Sequence, residues 1–503
     1  MKAAYAVEGQ ALELGRGVSG EEVVKDALVQ VPLAMVNRHG LVAGATGTGK
    51  TSTLRVMAEQ LSAAGVPVFA ADVKGDLSGL VAPGDAGGPA EKRAAELGEP
   101  FQPTGYPVEF YSLGGLGPGI PIRATVSDFG PLLLGKILDA NETQEQSLSL
   151  LFHYADAKGL PLLDLSDLRA LLTFLGSAEG RAELTGIGGV SPATVGVLLR
   201  ALVQVEDGGG NEFFGEPQLE VADLMRTAPD GRGIVSCLEL PAVQDKPKLW
   251  STALMWLVAE LFEQLPEAGD LPKPKLVFFL DEAHLLFDGA SKAFIESITQ
   301  TVRLIRSKGV GVFFVTQTPK DIHADVLAQL GNRVQHALRA YTPDDAKALK
   351  ATVSTFPKSD FYDLAEVLPQ LGIGEAVVTI LSESGVPTPV VRTKIRAPAS
   401  KLAPAGDVDA VAKASPLAAK YGTRTDPQSA KEMLAARLEQ AAPGSGPPTA
   451  PMDEAGKPKT EKPKKGSDGE AIGELGSFLK SRQGQSLQRE VVRGVFGLLR
   501  KSL

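Results

Sequence analysis

Residues 44–51, with the sequence GATGTGKT, decide the fold of this chain. They fit the phosphate-binding pattern G-x-x-x-x-G-K-[ST] at every fixed position. The apolar run 40–43 before them predicts a buried strand, and a helical pattern of apolar residues follows from Lys50 to Ala64. The next apolar run, 66–72, predicts a second strand. Strand, glycine loop, helix and strand form a βαβ unit, which predicts a parallel sheet with a right-handed crossover.

The residue types of this loop suit the binding of a nucleoside triphosphate. Glycines let successive backbone N–H groups turn inward around phosphate oxygens, and the positive end of the following helix adds to the attraction. The Lys50 amine reaches the β- and γ-phosphates, and the Thr51 hydroxyl reaches Mg²⁺. We therefore expect ATP and Mg²⁺ as cofactors. The predicted nucleotide contacts are Gly44, Ala45, Thr46, Gly47, Thr48, Gly49, Lys50, Thr51 and Thr53.

A second apolar run ends in two carboxylates. Residues 276–280, LVFFL, read as a strand buried on both faces, and Asp281 and Glu282 follow directly. Ligands bind at the carboxyl edge of open α/β sheets, so Asp281 is the predicted Mg²⁺ ligand. Glu282 is the predicted general base that deprotonates the attacking water. His284 completes the string Asp-Glu-Ala-His, and both a supporting role and a solvated side chain stay open for it.

Polar residues after the next strand pattern complete the predicted site. The strand 311–316 should lie between the acidic strand and the P-loop strand, so that Gln317 faces the γ-phosphate as a sensor. Residues 72–76 also end a strand, and their charged side chains fit either water or metal positioning or a loop without a role. Several arginines could stabilise the charge of the transition state or form surface ion pairs. These are Arg303, Arg306, Arg333 and Arg339.

Composition restricts the class of protein. The 503 residues carry a net charge of −9, which argues against a surface coated with basic residues for nucleic acid but leaves room for a local basic channel. The single cysteine, Cys237, excludes an intrachain disulfide and is expected in the core. No signal peptide or apolar span of about 20 residues is visible, so we expect a cytoplasmic protein without a membrane segment.

The predicted fold is an α/β, RecA-like P-loop NTPase: a parallel-rich central sheet flanked by helices, with a helical insertion and a C-terminal helical tail. Trp250 and Trp256 lie on one apolar helix pattern and are expected to anchor the core. The predicted units are a leader (1–30), the first part of the ATPase core with the P-loop (31–127), a helical insertion (128–230), the second part of the core (231–395), a disordered linker rich in Pro, Ala and Lys (396–470) and a C-terminal helix (471–503).

Together these motifs resemble the HerA/FtsK superfamily of P-loop ATPases, and more narrowly its YjgR-like, HerA-related branch. The resemblance rests on residues 44–51, 72–76, 280–284 and the segments IRSKGVG (305–311) and VTQTP (315–319). Order and spacing are similar over about residues 30–395, and the sequence 489–497 is similar to the C-terminus of that branch.

The resemblance implies a RecA-like core in a ring, expected to be hexameric, with hydrolysis at the subunit interfaces. It implies that Lys50 and Thr51 have the P-loop roles, that Asp281 binds Mg²⁺ and that Glu282 is the general base. It also carries the sensor role to Gln317, and the trans-acting arginine maps to Arg306, in the context Arg-Ser-Lys-Gly.

Two functions compete at this point, and both require ATP hydrolysis. The first is a DNA-translocating, helicase-like motor, which rests on the family resemblance and on the basic tail from Lys457 onward, since no motif of the sequence itself indicates DNA. A solvated, disordered linker is the alternative interpretation of that tail. The second is an ATPase that remodels protein or serves as a scaffold, with the apolar stripe of the last helix either binding a protein partner or folding back on the core. A small-molecule kinase fits less well, because the Asp-Glu pair and the polar sensor strand suit attack by water.

Overall fold

A computed structural model describes residues 2–184, 186–404 and 406–441. Its central feature is one 12-stranded sheet with the strand order β2-β1-β12-β11-β10-β3-β9-β8-β4-β7-β5-β6. The strands are β1 (Ala11–Ser19), β2 (Glu22–Pro32), β3 (Gly40–Ala43), β4 (Val68–Asp72), β5 (Val108–Leu113), β6 (Ile120–Ile122), β7 (Val235–Glu239), β8 (Leu276–Leu280), β9 (Val310–Thr316), β10 (Asn332–His336), β11 (Glu375–Thr379) and β12 (Val391–Ile395).

The sheet has a parallel part and an antiparallel part. From β10 to β6 in the spatial order all neighbours pair parallel, whereas β2, β1, β12, β11 and β10 pair antiparallel. Strand β9 lies between the P-loop strand β3 and the acidic strand β8, as predicted. Strands β3, β4, β7, β8 and β9 are buried throughout, as expected for parallel strands covered on both faces.

Helices cover both faces of the sheet. They are α1 (Lys50–Ala63), α2 (Pro89–Leu97), α3 (Val126–Ile137), α4 (Glu142–Ala157), α5 (Leu165–Gly176), α6 (Ala178–Leu184), α7 (Pro192–Val205), α8 (Asn211–Phe213), α9 (Pro247–Gln264), α10 (Lys292–Ile305), α11 (Ala324–Leu327), α12 (Pro343–Ser354), α13 (Leu364–Gln370), α14 (Val408–Ala414), α15 (Leu417–Tyr421) and α16 (Ala430–Ala441).

Alternate residues of each strand face opposite helical layers. Leu41 of β3 packs into the cluster that contains α3, α9 and α10, whereas Val42 packs into the cluster that contains α1. Trp250 and Trp256 on α9 are 1% exposed and Cys237 on β7 is 0% exposed, so their predicted core positions are confirmed. A mixed α/β fold with a mostly parallel sheet therefore agrees with the fold class predicted from the sequence.

Helices α3 to α8 occupy the chain between strands β6 and β7. Side chains cap several of them: Asn141 accepts from the Gln144 N–H at the start of α4, and Asp164 accepts from the Asp167 N–H at the start of α5. This region coincides with the predicted helical insertion, and its boundaries as a domain stay a prediction. Among the described helices, none combines the length and the apolar character that crossing a bilayer requires.

The N-terminal segment, predicted as a leader, contributes strands β1 and β2 to the antiparallel part of the sheet. The sequence favours a strand for the apolar run Leu33–Val36, and this prediction is wrong, since residues Leu33–Arg38 form a 3-10 helix that connects β2 to β3. A short apolar run does not distinguish a strand from a buried helical turn, because both bury apolar side chains.

Residues 396–404 and 406–441 belong to the segment predicted from composition to be a disordered linker, but they contain α14, α15 and α16. Leu417, Tyr421, Ala430 and Leu434 are buried against the helices that follow β6. Alanine is the strongest helix former, so an Ala-rich segment with a few apolar anchors can pack as helices despite its linker-like composition. The rest of the predicted linker and the predicted C-terminal helix (471–503) lie outside the described residues.

Candidate active site

The glycine-rich loop turns between β3 and α1 at the carboxyl edge of the sheet. Gly47 and Gly49 have φ values of 75° and 114°, which L-residues with a side chain rarely adopt. The Gly44 N–H donates to the Thr316 carbonyl at 3.2 Å, and the Ala45 N–H donates to the Ala337 carbonyl at 2.9 Å. The ends of β9 and β10 therefore hold the loop in place.

The Lys50 amine folds over this loop. Its Nζ donates to the carbonyls of Gly44 at 2.6 Å and Ala45 at 3.2 Å, and the residue is 8% exposed. Burial, followed by the nearby Lys74 amine, lowers the pKa of Lys50. An ammonium held only by two carbonyls is favourably placed to gain from an anionic phosphate.

The Thr53 hydroxyl is buried on the first turns of α1 and contacts His336 Nε2 at 2.9 Å. Burial lowers the pKa of His336 to about 4, so its ring is neutral at pH 7. The contact anchors α1 to β10, and the predicted nucleotide contact of Thr53 stays a prediction.

The loop after β4 reaches both halves of the site. Asp72 accepts backbone N–H groups from residues 74, 75, 76 and 77 at 2.7–3.3 Å, which fixes the loop around its carboxylate. Asp76 Oδ2 accepts from the Thr51 hydroxyl at 3.1 Å. Lys74 Nζ lies 3.1 Å from Glu282 Oε1. Of the two roles left open for residues 72–76, the contacts favour a role in the site.

Asp281 and Glu282 follow β8 at the same edge. Asp281 Oδ1 accepts the Glu282 N–H at 2.9 Å, and burial raises the pKa of Asp281 to about 6. Glu282 has left-handed backbone angles (φ 46°), which are uncommon for a residue with a side chain and typical of functional sites. Its Oε2 is buried and has no hydrogen-bond partner within residues 2–184, 186–404 and 406–441, and His284 Nδ1 lies 3.6 Å away. One carboxylate oxygen is therefore left for a further donor.

Gln317 is exposed directly after β9. Thr316, the residue before it, pairs in register with Ala43, the residue before Gly44. The Thr316 hydroxyl donates to Asp321 Oδ2 at 3.0 Å, which closes the turn behind Gln317. The structure thus brings Gln317 beside the P-loop.

The arginines are divided between the two edges of the sheet. Arg306 and Arg303 are exposed at the end of α10, before β9 begins, and therefore lie at the amino edge. Arg333, at the start of β10, also lies at that edge and donates to three backbone carbonyls. Arg339 lies past the carboxyl end of β10 and donates to the Pro369 and Leu371 carbonyls. The structure does not bring Arg306 to the P-loop of its own chain.

The sequence reasoning missed Glu239, the last residue of β7. It is 4% exposed, its Oε1 has no hydrogen-bond partner among the described residues, and it pairs in register with Asp72. Burial, then the Asp72 and Asp76 carboxylates, raises the pKa of Glu239 to about 8. An apolar run that ends in an acidic residue, the signal used for Asp281, would have identified it.

The oxygen donors of the site suit Mg²⁺. Among the described residues, no three His, Cys, Asp or Glu side chains are grouped to hold a metal by themselves. A P-loop site needs no such group, because Mg²⁺ keeps several waters and takes its other ligands from one or two carboxylates and from phosphates. The Thr51 hydroxyl and the Asp281 carboxylate could supply the protein ligands.

Solved structures share this fold. The plasmid coupling protein TrwB in complex with a non-hydrolysable ATP analogue aligns with a TM-score of 0.51 at 16% identity, covering 80% of this chain and 98% of that chain. An unbound form of the bacterial conjugative coupling protein TrwB gives a TM-score of 0.51 at 14% identity, with 80% and 97% covered. At these identities the likeness establishes the fold alone.

Curated relatives match over short segments. A probable helicase of Methanocaldococcus jannaschii is 31% identical over 125 residues, 24% of this chain and 22% of the relative. The probable DNA double-strand break repair helicase HerA of the same organism is 37% identical over 73 residues, 14% of this chain and 13% of the relative. This chain therefore matches less than a quarter of the length of either relative.

A family profile covers almost the whole sequence. The profile of the helicase HerA-like C-terminal family matches residues 20–502. This match agrees with the P-loop and the acidic strand at one edge of the RecA-like sheet. The chain belongs to the helicase HerA-like C-terminal family of P-loop ATPases.

Proposed function

We propose that this protein is a Mg²⁺-dependent ATPase motor that assembles as a ring, expected to be hexameric, and acts on DNA. The observation that supports it most directly is that Lys50 and Thr51 at the start of α1, Glu282 after β8 and Gln317 after β9 lie at one edge of the sheet. The relatives described as helicases support DNA as the substrate.

The proposed mechanism assigns each residue one task. The Lys50 amine leaves the Gly44 and Ala45 carbonyls and contacts the β- and γ-phosphates. The Thr51 hydroxyl and Asp281 would hold Mg²⁺, which would neutralise charge that develops on the phosphates. Glu282 accepts the proton of the attacking water at the carboxylate oxygen that lacks a partner. Gln317 orients that water and responds to the loss of the γ-phosphate.

Arg306 has a different position in this proposal. Since it is exposed at the amino edge, it can serve catalysis only at the site of a neighbouring subunit. Such an arrangement would make hydrolysis depend on assembly of the ring.

The cytoplasmic location of the protein stays a prediction from the sequence.

The test is steady-state ATP hydrolysis with and without double-stranded DNA at two salt concentrations, for the wild type and Glu282→Gln. We expect Glu282→Gln to lower kcat by about 10²–10⁴-fold, the usual contribution of a general base. The control is Glu183→Gln, which removes an exposed carboxylate that pairs with Lys158 in the helical region after β6 and should leave kcat unchanged.

DNA dependence separates the two candidate substrates. Stimulation by DNA that weakens at higher salt indicates contacts with backbone phosphates, because those contacts release counterions. Hydrolysis that requires Glu282 but ignores DNA would contradict the DNA motor and favour an ATPase acting on protein. Full activity of Glu282→Gln would contradict the assignment of the base.

A further inference from the structure

A short segment after β12 lies directly on the P-loop helix α1. Residues 399–402, here called the C-terminal strap, pair with residues 82–84: the Lys401 N–H donates to the Ala82 carbonyl and the Gly84 N–H to the Ala399 carbonyl, each at 2.9 Å. The approach is close, because a Cβ built on Gly79 would lie 2.2 Å from the Lys401 carbonyl oxygen.

Glu59 on α1 holds the first half of the strap. Its carboxylate accepts the N–H groups of Ala399 at 2.8 Å and Ser400 at 2.9 Å, and the Ser400 hydroxyl at 2.5 Å. Glu59 is 4% exposed and Ser400 is 0% exposed. A buried carboxylate that receives three hydrogen bonds from one segment fixes that segment to the helix.

Arg55, one turn earlier on α1, holds the second half of the strap and the site loop together. It is 2% exposed, and its guanidinium donates to the carbonyls of Lys401 and Leu402 and also to the carbonyl of Asp76. A planar guanidinium offers five donors in a fixed fork, so one side chain can bridge two backbone segments.

Asp76 is held through three of its groups: the backbone N–H, the backbone carbonyl and the carboxylate. Its N–H donates to Asp72 Oδ1 at 3.2 Å, its carbonyl accepts from Arg55, and its carboxylate accepts from the Thr51 hydroxyl at 3.1 Å. A continuous series of contacts therefore runs from the strap through Arg55 and Asp76 to Thr51. Beyond the strap, the chain continues into α14–α16, which pack against the helical region.

We propose that Arg55 is a positioning residue of the ATPase site, which holds Asp76 on the Thr51 hydroxyl and makes this geometry depend on the seated C-terminal strap. The inference rests on the proposed Mg²⁺ role of Thr51. The Arg55 guanidinium donates to the carbonyls of Asp76, Lys401 and Leu402, so it would orient Thr51 indirectly, through Asp76. Displacement of the strap, for example by a partner of the C-terminal segment, would then change Mg²⁺ use without altering the P-loop itself.

The test compares two buried arginines that both hold the C-terminal segment. Arg55→Lys keeps the charge but removes the fork that bridges Asp76 and the strap. The matched control is Arg123→Lys: Arg123 is 6% exposed and donates to the Tyr421 carbonyl at 2.9 Å, far along the chain from the P-loop. Both variants should lose similar thermal stability, measured as Tm.

Two titrations with Mg²⁺ give the decisive readouts. One follows ATP hydrolysis at saturating ATP, and the other follows equilibrium binding of a fluorescent ATP analogue without turnover. For Arg55→Lys we expect the half-saturating Mg²⁺ concentration to rise about tenfold in both, the equivalent of about one hydrogen bond, with unchanged affinity for nucleotide in the absence of Mg²⁺. Arg123→Lys should match the wild type in both.

The strap itself is tested by Glu59→Gln, which weakens the hold on residues 399–400 and leaves Arg55 in place. We expect a smaller rise of the half-saturating Mg²⁺ concentration, in the same direction. An unshifted Mg²⁺ response in Arg55→Lys, or an equal shift in Arg123→Lys, would overturn the inference while the ATPase assignment stands. Wild-type nucleotide binding that ignores Mg²⁺ would instead overturn the proposed Mg²⁺ role and this inference together.

Discussion

Two buried glutamates on neighbouring strands show how differently the two edges of the sheet are built. Glu109, near the start of β5, accepts from Tyr111 Oη at 2.9 Å and Ser415 Oγ at 2.7 Å and pairs with Arg226. Glu239, at the end of the adjacent β7, has a buried oxygen without a hydrogen-bond partner in the part of the chain that the structure describes. Of these two carboxyl groups, the one at the amino edge is satisfied by hydrogen bonds and an ion pair, whereas the one at the carboxyl edge is not.

The same contrast extends along both edges. Arg333 at the amino edge donates to backbone carbonyls, whereas Glu282 at the carboxyl edge has left-handed backbone angles and a buried carboxylate oxygen without a hydrogen-bond partner among the described residues. Strained backbone and unsatisfied buried groups are costly and persist where they serve a function. We therefore expect Glu109 and Arg333 at the amino edge to contribute mainly stability, and the carboxyl edge to carry the proposed chemistry.

Arg306 gives the strongest test of this contrast between the two edges, because it lies at the amino edge and is nevertheless predicted to act in catalysis. The seven residues of β9 place it roughly 20 Å from the P-loop of its own chain. We expect Arg306→Ala to lower kcat by about 10³-fold or more, as loss of a trans-acting arginine does, with nucleotide affinity retained. Arg303→Ala, an exposed neighbour on α10, is the matched control and should leave kcat unchanged.

Mixed assemblies distinguish a trans role from a local one. Lys50→Ala and Arg306→Ala subunits should each be inactive alone, but an interface between them combines an intact Lys50 with an intact Arg306. We therefore expect a mixture of the two variants to recover part of the hydrolysis. Normal kcat for Arg306→Ala would mean that Arg306 does not act in catalysis, and the amino edge would then have a structural role only.

The Glu239→Gln substitution tests the contrast between the two edges by its effect on the stability of the folded protein. The pKa of the Glu239 carboxyl rises from 4.5 to about 8 on folding, so the folded state binds more protons than the unfolded state between these values. Stability that Glu239 provides in its neutral form is therefore lost as pH rises toward 8. A neutral amide avoids this loss, and we expect Glu239→Gln to stabilise the protein by a few kcal/mol at pH 8 and to make little difference below pH 5.

Denaturant unfolding of wild type and variant at pH 5, 6, 7 and 8 measures the effect. The interval from pH 6 to 8 is the informative one, because Asp72 and Asp281 have pKa values of about 6 and titrate mainly below it. Glu109→Gln is the control and should destabilise by about 1–3 kcal/mol at pH 7, since it removes the charged partner of Arg226. A destabilising Glu239→Gln at pH 8 would mean that this carboxylate has a partner when ionised.

Local patterns were sufficient to predict the fold class and the centre of the site. The P-loop, the buried strand before Asp281 and the strand before Gln317 are short segments in which sequence period and chemistry agree. Their neighbours in the sheet follow from the RecA-like order, which the structure has. The roles of the site residues remain predictions until activity is measured.

Long-range contacts were beyond prediction from one sequence. Arg55 reads as an ordinary helical residue, and only the fold places it against Lys401, 346 positions along the chain. Residues 396–441 have the composition of a linker, and their order depends on surfaces supplied by distant helices. Contacts between residues so far apart leave no periodic pattern or turn signal in the local sequence, because tertiary packing determines them.

Arg333 gives the smallest predicted effect and tests the structural side of the comparison. Its guanidinium donates to the carbonyls of Leu330 at 3.3 Å, Thr355 at 3.0 Å and Leu327 at 3.4 Å, which ties the start of β10 to the end of α12. A lysine cannot reach all three acceptors, so Arg333→Lys should cost about 1–2 kcal/mol of stability, measured by urea unfolding. Because the Arg333 guanidinium is bound to three backbone carbonyls of its own chain, unlike that of the exposed Arg306, kcat should be unchanged. A fall in kcat without a loss of stability would show that this edge also contributes to hydrolysis, and the division between a structural edge and a chemical edge would then fail.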